Sequence, residues 1–121
     1  MSTHGFDDSD WESAKREVKK ILIERAKMKG TISYSELVEN IHSIEVKARS
    51  SRLFHLLDEV SSEENAKGRG MIAAIVVHKG GDTKPGSGFF ELAERLGRDT
   101  SDKLNCWRKE LKKVHSYWSN Q

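Results

Sequence analysis

Met71-Ile72-Ala73-Ala74-Ile75-Val76-Val77-His78, running into Lys79-Gly80-Gly81-Asp82, is the stretch on which the fold turns. It is the one run in the chain that reads as a strand: apolar throughout, β-branched toward its end and bounded by turn residues. Two adjacent glycines supply positive φ at no steric cost. Residues 79–82 therefore predict a tight hairpin turn, with Thr83 and Lys84 beginning a short return strand before Pro85 ends it.

Upstream the pattern is helical. Trp11, Ala14, Val18, Ile21, Leu22 and Met28 recur at helical spacing and predict a helix over 10–28, with Ser9 and Glu12 at capping-box spacing in front and Gly30 behind. Thr31-Ile32-Ser33 allows only a brief strand. Ser33 and Glu36 repeat the capping box and open a second helix over 34–42. A third helix over 48–60 carries Leu53, Leu56, Leu57 and Val60 on one face, and the polar, glycine-bearing residues 61–70 predict a loop. Downstream, Gly86-Ser87-Gly88 leads into a short helix with Phe89, Phe90, Leu92, Ala93 and Leu96, closed by Gly97. A last helix starts near Thr100 or Ser101. Its stripe of Leu104, Trp107, Leu111, Val114 and Trp118 alternates steps of three and four residues.

The order helix, strand, helix, helix, strand, hairpin predicts an α+β domain of the winged helix-turn-helix type, with a small β-hairpin wing and two additional C-terminal helices. Residues 1–8 are polar and end in Asp7 and Asp8, so they read as a disordered acidic leader, leaving 9–121 as one domain. The aromatic stripe of the last helix needs a partner surface. Helix one supplies it within the monomer, and incomplete packing there would make a homodimer through the C-terminal helix.

Composition sets the outer limits. A chain of 121 residues, 36% hydrophobic and 33% charged, builds one modest core under a charge-rich surface. No apolar run approaches the roughly 18–20 residues a membrane span needs, and the N-terminus has no secretory pattern. A single cysteine, Cys106, excludes a disulfide framework and a cysteine-based zinc site, which makes a reducing, cytoplasmic setting the expectation. The net charge of +2 is too mild to identify a polyanion partner without knowing where the charges lie.

Their expected placement is informative. In a winged helix, helix three and the wing lie along the side where phosphates run. Lys47, Arg49 and Arg52 stand at the front of helix three, Lys67 and Arg69 before the strand, and Lys79 and Lys84 beside the wing tip. Helix three offers few side chains that could read base edges, only Arg49, Ser50, Ser51 and His55, so phosphate contact is expected ahead of sequence-specific readout. A chain with a third of its residues charged also scatters lysines over any solvated surface.

Gly86, Ser87 and Gly88, just ahead of a helix, suit either an anion nest or a turn that drops Phe89 and Phe90 into the core. His4, His42, His55, His78 and His115 lack ligand spacing, so neither a metal nor a cofactor is expected. His78, at a strand end with Lys79 and Glu91 nearby in sequence, is the one candidate general base, although strand-end histidines commonly just bond backbone. Ser33 and Ser35 read as caps, and Cys106 as a small buried hydrophobe.

Gly30-Thr31-Ile32-Ser33-Tyr34-Ser35-Glu36-Leu37 resembles the opening of the DNA-binding domain in the alkyltransferase and alkyltransferase-like family, and Ala48-Arg49 resembles the Ala-Arg pair on that family's recognition helix. The resemblance covers about 30–90. It implies winged-helix architecture and a Tyr34 that contacts a phosphate or an extruded base, although a core tyrosine at the entrance of helix two is the more common role for such a residue. It does not imply alkyl transfer, because Val76-Val77-His78-Lys79 stands where the family carries Pro-Cys-His-Arg, and Val77 takes the cysteine's place. A second likeness rests on Gly68-Arg69-Gly70-Met71-Ile72, on Pro85-Gly86-Ser87-Gly88-Phe89-Phe90-Glu91-Leu92-Ala93 and on the closing Trp107-to-Trp118 pattern. These resemble a set of small bacterial proteins bearing PG-x-GFF-x-LA, which implies a bacterial source and no particular activity.

The leading expectation is thus a small non-enzymatic nucleic-acid-binding module on duplex DNA, its phosphate contacts made by helix three and the wing. The alternative is a protein-interaction module, such as an inhibitor, immunity or adaptor protein, contacting its partner through the wing and the 85–90 corner. A nuclease or hydrolase centred on His78 is the third.

Overall fold

The computed structural model describes residues 2–3, 5–48, 50–78 and 85–121. Five helices and short paired strands make a mixed, mostly helical α/β arrangement, compatible with the expected α+β class. The elements are β1 (Ser2–Thr3), β2 (Phe6–Asp7), α1 (Asp8–Lys27), β3 (Ile32–Ser33), α2 (Tyr34–Glu39), α3 (Ser51–Ala66), a 3-10 turn (Ile72–Ile75), β4 (Val76–Val77), α4 (Ser87–Arg95) and α5 (Lys103–Ser119). Among the described residues no helix is long and apolar enough to cross a membrane.

α1 packs on both α3 and α5, and the 3-10 turn sits against all three helices. Residues 71–77 are buried at every position. The sequence reads this stretch as a strand, and the structure departs from that over 71–75. A strand this deep would need a ladder partner for each amide. Here side chains on the surrounding helices take that part. The Met71 N–H donates to Glu110 Oε2 (2.7 Å), the Ala73 N–H donates to Ser61 Oγ (3.0 Å), and Trp107 Nε1 donates to the Ala74 carbonyl (2.8 Å). With its polar groups satisfied that way, Ile-Ala-Ala-Ile tightens into a 3-10 turn, and only Val76 and Val77 are left to pair, parallel, with Ile32 and Ser33.

The helix starts and stops follow from local chemistry. Ser33 caps α2 by accepting from the Glu36 N–H (3.1 Å), as the capping-box spacing predicts, while the Glu36 carboxylate turns away to Arg25. Ser50 caps α3 and Asp102 caps α5 in the same manner. α1 ends at Lys27, and it is Lys29, not Gly30, that takes the left-handed conformation (φ 55°). At its front, the leader expected to be disordered pairs Ser2–Thr3 with Phe6–Asp7, and the helix begins at Asp8 instead of behind a Ser9 cap. The physical reason is apolar: the Phe6 ring stacks on buried Trp11, and the Arg52 guanidinium lies over Phe6, 5.1 Å from its centroid.

Two expected boundaries also shift. α3 begins at Ser51 and runs on to Ala66, absorbing part of the loop predicted over 61–70. The connection from α2 runs through residues 40–50 with Ile41 and Ile44 buried in it, so it is no three- or four-residue helix-turn-helix link. Glu17 on α1 holds this connection in place by accepting from the His42 N–H (2.6 Å), the Ser43 N–H (2.8 Å) and the Ser43 hydroxyl. The aromatic stripe of α5 is covered within the monomer: Trp107, Val114 and Trp118 are buried, and α5 lies against α1 and the 3-10 turn. Leu104, at the head of the stripe, is left exposed.

Candidate nucleic-acid interface

The residues expected to meet phosphates divide three ways. Arg49, and Lys79 and Lys84 of the expected wing, lie outside the described residues. Lys47, Ser51 and Arg52 are exposed around the start of α3, but Arg52 is already engaged with Phe6 and packs close to Gly5. Tyr34 is buried. Its hydroxyl accepts from the Gly86 N–H (2.9 Å), its ring meets Phe54 edge-on, and burial pushes its pKa up against the opposing effect of that hydrogen bond. Tyr34 therefore ties the 85–86 segment to α2, and its burial keeps it from a phosphate at the surface.

Gly86, Ser87 and Gly88 do not form a nest. Gly86 has φ −74°, its N–H is taken by Tyr34, and neither Gly86 nor Gly88 has positive φ. What selects glycine at 86 is close approach: a Cβ there would stand 3.2 Å from the Tyr34 hydroxyl and 3.4 Å from His78 Nε2. His78 is exposed, and its ring lies 5.2 Å from the Tyr34 ring. Among the described residues nothing hydrogen-bonds to His78, and no group of three His, Cys, Asp or Glu could hold a metal ion.

α3 carries its charges in matched sets. Asp58 pairs with Arg95 (3.0 Å), Glu63 with Lys15 (2.5 Å), and Glu59 accepts from Trp11 Nε1 (2.9 Å) with Lys15 at 3.7 Å. Those pairs help raise the Lys15 pKa even though partial burial, the largest influence, works to lower it. Arg52 is the only lysine or arginine in α3. A helix with one cation, already in contact with Phe6, and a row of carboxylates offers little to a phosphate backbone.

α5 is the opposite. Its inner side holds Cys106, Trp107, Glu110, Val114 and Trp118, while Asn105, Arg108, Lys109, Lys112, Lys113 and Ser116 face solvent. Glu110, the one acid in the helix, points inward, where Arg98 grips it through Nε (3.1 Å) and Nη2 (3.0 Å). The four outward cations form two i, i+4 rows, Arg108 with Lys112 and Lys109 with Lys113, each step about 6 Å along the axis. Among the described residues none of the four is in a hydrogen bond or ion pair. Lys109 lies near enough to Asp99 to contribute to that carboxyl's lowered pKa, whose main cause is the pair of hydrogen bonds from Ser101. Exposed Lys67 continues the cationic surface through the loop whose Gly70 packs beside Lys113.

The α5 face is absent from the sequence-based expectation, because a winged-helix frame places phosphate contacts on helix three and the wing. A signal for it does exist. On a helical wheel the cations of Trp-Arg-Lys-Glu-Leu-Lys-Lys (107–113) fall opposite the tryptophan stripe, and the single glutamate falls on the stripe side. Comparison with known proteins finds no matching family model, no curated protein and no solved structure similar to this chain.

Proposed function

We propose that the protein is a small, non-enzymatic nucleic-acid-binding module that contacts duplex DNA phosphates through the outward face of α5. The observation that carries this reading is the segregation of charge: four cations in two rows on one helix face, without partners among the described residues, and the helix's only carboxylate turned into the core. The frame is one we read as related to a winged helix, since β3 leads into α2, α3 follows, and β4 pairs back on β3 ahead of residues 79–84. The phosphate contacts are assigned to α5 in preference to α3, whose carboxylates would repel the backbone.

The test is fluorescence anisotropy with a labelled duplex at about 50 and 200 mM salt. Four engaged cations give a slope of log K against log salt of about −3.6, so affinity falls about a hundredfold over that interval. The double reversal Lys109→Glu/Lys112→Glu is expected to weaken binding more than tenfold at the lower salt and to flatten the slope by about 2, for every duplex sequence alike. Binding that survives this reversal and disappears with Arg52→Glu, Lys79→Glu or Lys84→Glu would return the interface to helix three and the wing. No binding at the lower salt would remove nucleic acid from consideration and leave the protein-interaction module as the reading to pursue.

A further inference from the structure

The helices α4 and α5 enclose a cleft that the cationic face does not use. Its volume is about 550 Å³, within the range of roughly 300–1,000 Å³ typical of small-molecule sites. Pro85, Phe90, Leu104 and Trp107 form apolar walls. Leu104 is one of only two large hydrophobic side chains counted as exposed among the described residues, at 51%. An exposed leucine one turn before a tryptophan on the same helix wall is apolar surface that gains from being covered.

The polar groups of the cleft are of one kind. Lys103, His78 and Ser87 stand among its lining residues, and among the described residues no carboxylate does. The Lys103 ammonium sits 5.7 Å from the Phe90 ring centroid, so its charge is held against an apolar wall. Among the described residues no acid pairs with it. Lys103 opens α5 on the cleft side, separate from the rows of Arg108–Lys113 on the outward face. Serine at the first position of α4 places the cleft beside that helix's positive end, which favours the same sign of ligand.

We propose that this cleft is a binding site for a small amphiphilic anion: an aromatic or branched aliphatic body lying against Phe90, Leu104 and Trp107, with its acidic head at Lys103 and His78. An apolar body satisfies the walls, and a negative head gains a charge-assisted contact from the exposed Lys103 ammonium beside them. The assignment is independent of the nucleic-acid reading, because no residue is shared between the two.

The test is a titration of the full chain with anilinonaphthalene sulfonate, an aryl sulfonate whose fluorescence rises on entering an apolar site, with its neutral relative N-phenylnaphthylamine in a parallel arm. Saturable one-to-one binding of the sulfonate is expected, with the neutral compound weaker by about tenfold or more. Leu104→Glu should abolish binding, and Lys103→Glu should weaken it about tenfold or more, while Met28→Glu, which removes the other exposed large hydrophobe, leaves it unchanged. Near-ultraviolet circular dichroism matching the parent chain establishes that each variant is folded. Absence of saturable binding, survival of binding in folded Leu104→Glu, equal loss in Met28→Glu, or equal affinity for the neutral compound would each overturn the proposal.

Discussion

α3 and α5 are of similar length, both pack on α1 and the 3-10 turn, and both turn a charged side to solvent. The difference lies in where their counter-charges sit. On α3 three of the four carboxylates, Asp58, Glu59 and Glu63, lie toward solvent and are met by other elements, Lys15 and Trp11 of α1 and Arg95 of α4, while the fourth, Glu64, is buried and held by Arg69 and Lys19. On α5 the one carboxylate is inward and the cations outside have no partners among the described residues. The same charged residue types thus serve opposite ends: crosslinks between elements on α3, an uncompensated field on α5. A count of lysines along the chain cannot tell these apart, whereas the position of each glutamate relative to the apolar stripe can.

That contrast can be broken first at its glutamates. Glu110→Ala strips Arg98 of its partner and leaves the Met71 N–H buried without an acceptor, so it should cost about 3–5 kcal/mol in urea unfolding. Glu63→Ala removes an exposed ion pair with Lys15 and should cost no more than about 1 kcal/mol. Similar losses at the two sites would show that inward and outward placement is not what separates the helices. Next in size is the charge reversal on α5: a loss of duplex affinity of about 1.4 kcal/mol or more, against little change for Arg52→Glu, turns the difference in charge placement into a difference in function.

A finer comparison uses the caps. Ser50 accepts from the Leu53 N–H (3.3 Å) and Asp102 from the Asn105 N–H (3.1 Å), and replacing either with alanine should cost about 0.5–2 kcal/mol. The Asp102 loss should shrink as salt is added, since part of its effect is charge on the helix dipole, and the Ser50 loss should not. The smallest effect concerns the connection that positions the start of α3. Partial burial raises the Glu17 pKa, but hydrogen bonds from the Ser43 hydroxyl and from the His42 and Ser43 amides outweigh it, and the folded-state value lies below the ordinary one. A lowered carboxyl pKa contributes stability above the unfolded-state value and loses it as pH falls through the folded one. Urea midpoints at about pH 7 and pH 3 should therefore fall further for the parent chain than for Glu17→Gln.

Much of the helical scaffold was legible in the chain. The Leu53-Leu56-Leu57-Val60 and Trp107-to-Trp118 stripes point inward as their periods predict, and Ser33 caps where its spacing to Glu36 places it. Residues 71–75 were misread because a short apolar run looks the same as a strand or as another buried segment. The groups that decide between them, Ser61, Trp107 and Glu110, lie 12, 33 and 39 positions away from the atoms they bond. The hairpin at the N-terminus escaped notice because a single aromatic, Phe6, outweighs the polar composition around it. At the candidate interface the individual cations were visible, but their pairing was not, since Lys15 meets Glu63 across 48 positions of sequence.

The buried 3-10 turn has a consequence for how the molecule is made. The Ala73 N–H and the Ala74 carbonyl of the turn, and the Met71 N–H just before it, are hydrogen-bonded by side chains of α3 and α5, so the centre of the protein has no complete set of partners until α5 has left the ribosome and docked. A nascent chain that ends short of residue 110 would hold residues 71–77 as an apolar stretch with unpaired amides, the kind of segment that chaperones retain and neighbouring chains capture. The helix that presents cations to the outside is therefore also the one whose arrival allows the inside to close.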